Sequence, residues 1–135
     1  GEIASMFKIK PNRSGLEPVW SSEGDRKSAV YCSNSGGIFS DKLIAGADCG
    51  SGSFIAIDPK DGTRFWETKK PTTGGTERAS HGTAFVFHVK DDVYYLLSET
   101  GDFIIANFTP EKYQEISRQH LVDATNTWQG RNVLW

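Results

Sequence analysis

Four side chains draw attention for the chemistry they could do together: Arg78, His81, Glu99 and Trp128. Arg and Glu bring opposite charges. His brings a ring that takes up or gives a proton near neutral pH. Trp brings a broad apolar plate with one N–H donor. His81 follows the polar stretch Glu77-Arg78-Ala79-Ser80 and precedes Gly82, which permits close backbone approach. Its plainer role is a hydrogen bond that anchors its loop. Trp128 lies in Asn126-Thr127-Trp128-Gln129-Gly130-Arg131, which lacks an apolar period and reads as a loop. There it suits stacking on a sugar or an aromatic ligand, or packing on a neighbouring sheet. Any ligand site is expected to draw on these four residues, at strand ends.

Other chemistries lack their parts. No Gly-x-Ser-x-Gly elbow surrounds Ser80 or Ser98. Gly74-Gly75 is too short for a phosphate cradle and is not followed by Lys-Ser/Thr. Asp58-x-x-Asp61-Gly62 lacks the alternating ligands and closing Glu of a calcium loop. It reads instead as an Asp capping its own turn. His81, His88 and His120 have no metal-type partner at close spacing, and Asp91-Asp92 reads as a solvated hairpin turn. Cys32 and Cys49 form no Cys-x-x-Cys motif. They are either two small, partly buried thiols or a bridge between neighbouring strands, which needs Cα atoms within ~7 Å. No catalytic residue, no metal ligand and no cofactor is expected.

The charges point the same way. The 15 basic and 17 acidic residues are spread along the chain, so no basic stripe exists to meet phosphates. Nucleic acid is therefore not an expected partner. No apolar run approaches the ~20 residues of a membrane-spanning helix, and residues 1–10 are too short and polar for a signal peptide.

The elements that must position these residues read as β throughout. Short runs of β-branched and aromatic residues alternate with Gly, Asp and Asn turns. Strands are expected over residues 6–10, 17–21, 28–32, 37–39, 42–47, 53–58, 63–68, 83–89, 92–98, 102–108 and 113–122, with one more opening at 132–135. Pro110 and Glu111 would suit a helix start, but Tyr113, Ile116 and residues 118–122 favour a turn and then a strand. Residues 70–80 read as a crossing loop and 21–27 as a polar connector.

The runs repeat. Gly52-Ser53-Phe54-Ile55-Ala56 aligns with Gly101-Asp102-Phe103-Ile104-Ile105, 49 residues on. Ser5-Met6-Phe7-Lys8-Ile9-Lys10-Pro11 aligns with Ser53-Phe54-Ile55-Ala56-Ile57-Asp58-Pro59, 48 residues on, and Val19-Trp20 with Phe65-Trp66. A unit of this length holding four short strands is the sign of a propeller blade. Such a unit buries its faces only by stacking on neighbours.

Ala56-Ile57-Asp58-x-x-Asp61-Gly62-x-x-x-Trp66 resembles the repeat of pyrroloquinoline-quinone-like β-propellers, with Asp61 where that repeat usually has Thr. The stretches Trp66-Glu67-Thr68, His81-Gly82-Thr83-Ala84-Phe85 and Ser98-Glu99-Thr100-Gly101-Asp102 are similar to those of planctomycete-type bacterial repeat proteins of this quinoprotein-like group. The resemblance implies an all-β, partial β-propeller of about two and a half four-stranded antiparallel blades. It would be a single segment over 1–135: a half blade at 1–23, blades at 28–69 and 80–122, and the start of a further strand at 130–135. It implies that Trp20, Asp58, Gly62 and Trp66 dock one blade on the next, and that the protein is exported or periplasmic. Quinone dehydrogenases of this fold use an adjacent Cys pair and calcium ligands that this sequence lacks. The expected function is therefore a non-enzymatic module or scaffold that binds protein or carbohydrate; the alternative is a fragment of a quinone-dependent dehydrogenase or another propeller enzyme. Uncovered end sheets lead to a further expectation, self-association through sheet edges or end faces.

Overall fold

The structure, a computed structural model, describes residues 3–23, 30–75 and 77–135. Two four-stranded antiparallel meanders carry the fold. The first comprises β3 (Ile38–Phe39), β4 (Ile44–Ala47), β5 (Phe54–Ile57) and β6 (Arg64–Thr68), paired in chain order. The second comprises β7 (Ala84–Lys90), β8 (Val93–Ser98), β9 (Asp102–Phe108) and β10 (Tyr113–His120), also paired in order. Two hairpins flank them, β1 (Ser5–Ile9) with β2 (Leu16–Ser21), and β11 (Asn126–Trp128) with β12 (Arg131–Val133). No sheet closes on itself among the described residues.

Alternation decides which side chains meet, because successive residues of a strand point to opposite faces. Across the first sheet, Ile38, Ala45, Ala56 and Trp66 fall in one cross-strand row. Across the second, Val86 pairs with Leu96 and Leu96 with Ile104 in one row, and His88 with Tyr94 and Tyr94 with Ala106 in the next. These rows pack face to face around Phe54 and Phe108, both fully buried. Tyr94 stacks on Phe108 at 4.3 Å, and Phe54 tilts against it at 5.4 Å. At roughly 1.5–3 kcal/mol for each large buried apolar side chain, this inter-sheet layer is the main apolar store of the fold.

Trp66 locks the layer at its rim. Its indole packs on Phe108 and Tyr113 and donates from Nε1 to the Thr109 carbonyl at 2.7 Å. It is half-buried rather than enclosed. The same device recurs one unit earlier, where Trp20 Nε1 donates to the Pro59 carbonyl at 2.9 Å. Each accepting carbonyl lies in the turn after the third strand of a sheet. Asp58 accepts from the Lys60 amide at 2.8 Å, and its carbonyl receives the amide of Gly62, whose φ of +79° closes the turn.

The structure corrects two expectations. Residues 30–32 are not a strand. One backbone bond, Cys49 N–H to the Tyr31 carbonyl, ties them down, while Val30 and Cys32 lie against Gly46 on the back of the first sheet. Residues 28–29, and most of the connector at 21–27, fall outside the described residues. Residues 126–131 are not a loop. They form β11, the turn at Gln129-Gly130 and the start of β12, so the strand foreseen at 132–135 is the second arm of a hairpin. Residues 110–120 do form a turn and then a strand.

Candidate functional site

The loop from β6 to β7 crosses the end of the first sheet and is laced to the β4–β5 turn. Ala79 N–H donates to the Ser51 carbonyl and His81 N–H to the Cys49 carbonyl. The buried Thr72 hydroxyl donates to the Gly52 carbonyl. The lacing holds His81 at φ +60°, a conformation unusual for a residue with a side chain. Its ring lies 3.3 Å from the Ser33 hydroxyl through Nδ1, and Asn34 donates to its carbonyl.

Against His81 stand two indoles from the C-terminal hairpin. The ring centres of His81 and Trp128 are 5.9 Å apart, edge to face. Those of His81 and Trp135 are 6.5 Å apart, and those of Trp128 and Trp135 are 5.6 Å apart. Trp128 keeps 40% of its surface exposed, while His81 and Trp135 are half-buried. The trio is an aromatic platform with one open plate.

Glu99 holds the platform in place. Its carboxylate is 1% exposed, a costly position unless every oxygen is paired. Oε2 accepts from the Thr83 amide at 3.0 Å and from Trp135 Nε1 at 3.3 Å, and Oε1 accepts from Arg131 Nη1. Arg131 also donates to the Ser80 carbonyl, and Leu134 N–H to the Glu99 carbonyl. Glu99 thus joins the crossing loop, the β8–β9 turn and the hairpin. Three donors converge on this carboxylate.

Of the four residues singled out from the sequence, the structure brings His81, Glu99 and Trp128 into one connected cluster. Arg78 sits apart from the rings, its guanidinium spent on the Gly50 carbonyl at 3.0 and 2.8 Å. Arg131 and Trp135 were missed as members. Arg131 was visible beside Trp128, but its partner Glu99 lies 32 residues away.

Beside the hairpin opens a polar cleft of about 670 Å³, lined among others by Thr100, His120, Asp123, Arg131 and Asn132. His120 spans two carboxylates, Nδ1 to Asp102 at 2.9 Å and Nε2 to Asp123 at 3.0 Å. Carboxylate oxygens only accept, so this arrangement requires the doubly protonated ring. The bond to Asp123, then that to Asp102, raises the His120 pKa above its ordinary value. Burial alone would raise the Asp102 carboxyl, but the bonds from His120 and Arg118 outweigh it and hold it below its ordinary value. A second cleft, of about 560 Å³, is lined by His81 together with Tyr31, Cys32 and Cys49. Cys32 and Cys49 are not joined in a disulfide. Cys32 is exposed as a residue, yet its Sγ is turned onto Gly46, and burial, then Asp48 and Cys49, pushes the thiol up to about 11. No group of three or more metal-ligating side chains gathers among the described residues, and none of their helices is long and apolar enough to cross a membrane.

Compared with known proteins, the chain matches no protein-family model, and no curated protein is significantly similar to it.

Proposed function

We propose that this chain is a segment of a β-propeller of the pyrroloquinoline-quinone-like repeat type, and that it serves as a non-enzymatic module binding carbohydrate at the end of its sheets. The repeat of about 49 residues, the two meanders and the recurring indole-to-carbonyl bond support the propeller reading. One observation carries the functional reading: Trp128 keeps 40% of its surface exposed while His81 and Trp135 brace its ring. A sugar ring has an apolar face to lie on such a plate. Glu99 and Arg131 form an ion pair with each other.

Titration with neutral oligosaccharides (cellohexaose, laminarihexaose and chitohexaose), followed by tryptophan fluorescence and by calorimetry, tests this. At least one should shift the emission and release heat, and Trp128→Ala should weaken it on the order of tenfold, the ~1.4 kcal/mol expected of one lost stacking contact. No response to any of the three at millimolar concentration, or an affinity indifferent to Trp128, rejects the reading.

A further inference from the structure

Residues 30–32 lie on the back of the first sheet and meet the β4–β5 turn. There the Cys49 N–H donates to the Tyr31 carbonyl at 2.9 Å. That bond and the fixed lengths of the backbone leave the Cα atoms of Cys32 and Cys49 at most about 7 Å apart. Disulfides span Cα separations of up to about that figure. Both residues line the same cleft, with Tyr31 and His81. Gly46 has no Cβ, so the Cys32 sulfur sits against β4 close to the turn that holds Cys49. Burial, then Asp48 and Cys49, raise the Cys32 pKa to about 11, so the two thiols lie within electrostatic reach of each other.

We infer that Cys32 and Cys49 are a redox pair: thiols in the state described above, and closed into a disulfide within the chain by glutathione disulfide. The Cys49 thiolate attacks the S–S bond of glutathione disulfide. This forms a mixed disulfide on Cys49 and releases one glutathione thiolate, which takes up a proton. The Cys32 thiol then gives its proton to solvent, and its thiolate attacks the Cys49 sulfur and expels the second glutathione. Two electrons and two protons pass from the cysteine pair to glutathione disulfide. Thiolates are the attacking species, and a pKa near 11 leaves few of them on Cys32 at neutral pH, so closure is faster in mild base.

The disulfide adds a covalent tie where a backbone bond now joins residues 30–32 to the β4–β5 turn. The Cys49 carbonyl also accepts the His81 N–H, so the tie reaches the loop beneath the aromatic platform. Closing the loop from residue 32 to residue 49 takes freedom from the unfolded chain, and should raise the thermal midpoint by roughly 5–15 °C.

A glutathione redox titration of the full chain at about pH 8.5 tests the inference. Peptides prepared without reduction are read by mass spectrometry, and the same samples are melted with and without dithiothreitol. Oxidised wild type should yield one linked peptide holding Cys32 and Cys49, and should lose its roughly 5–15 °C advantage when reduced. Cys32→Ser and Cys49→Ser should each carry one glutathione instead and show no such advantage. The wild-type comparison stands by itself, should either variant fold poorly. Wild type that carries only glutathione adducts, that links one chain to another, or whose internal disulfide leaves the midpoint unchanged or lower would each overturn the inference.

Discussion

The two sheets follow one plan and differ in what covers them. In the first sheet, Ala45 and Ala56 occupy the middle of the row facing its neighbour, and the back side chains Ile55 and Ile57 are buried as well. In the second, Tyr95 and Ile105 occupy the positions of those alanines, and the row stays open. Small residues let two backbones approach where a partner is built in; large ones extend a surface where none is. Equivalent positions thus differ in what truncation costs, and the register of the repeat identifies them.

The largest expected effect lies on the closed side. Trp66→Ala removes the contacts with Phe108 and Tyr113 and leaves the Thr109 carbonyl without its donor. It should cost about 3 kcal/mol in urea unfolding, the low end for large aromatics because the ring is half-buried. Tyr95→Ala on the open side should cost under about 1 kcal/mol in the dilute monomer. Equal losses would break the comparison.

Next comes the anchor at the end of the second sheet. Glu99→Gln keeps the size but takes the charge from Arg131, and should cost about 2 kcal/mol, since Arg131 retains partial access to water. Its mark is a change in tryptophan emission, as Trp135 loses a charged acceptor.

The smallest effect is one of pH. With a folded pKa above the unfolded value, His120 contributes its full stabilisation below the ordinary histidine pKa, ~6.5, and that contribution is lost as pH rises through the raised folded value. The thermal midpoint should therefore decline from about pH 6 to pH 8, and His120→Gln should flatten that interval. A wild-type midpoint that rises over the interval would contradict the ion pair.

Much of this was legible before any coordinates. Alternating apolar residues between Gly and Asp turns fixed both meanders, because the pattern has the period of a half-buried strand. The aligned Trp20 and Trp66 each donate from Nε1 to a carbonyl in the turn after the third strand of a sheet. Residues 30–32 misled because Val30 and Tyr31 are good strand formers, yet here Val30 and Cys32 cover Gly46 while Tyr31 reaches Ser22 and Cys49. The C-terminal hairpin was hidden because Asn126, Thr127 and Asn132 are polar on both faces, and its turn uses Gln129-Gly130 at φ +48° and +76° rather than Asn-Gly. The three sequence candidates that do meet are joined through Arg131 and Trp135, tertiary contacts that no local pattern encodes.

The hairpin's dependence on Glu99 has a kinetic consequence. A two-stranded ribbon is marginal by itself in water, and β11–β12 pairs with no other strand among the described residues. Its protection comes from a few ties: the buried Glu99 carboxylate, the Leu134–Glu99 backbone bond, the Arg131–Ser80 bond, the buried Val133 and the rings around them. The amides of β12 should therefore exchange with deuterium faster than those of β8 and β9, through a local opening that leaves the meanders intact. A ligand resting on Trp128 binds only the closed ribbon, so it should slow exchange in β11 and β12 while leaving the central strands of the second sheet unchanged.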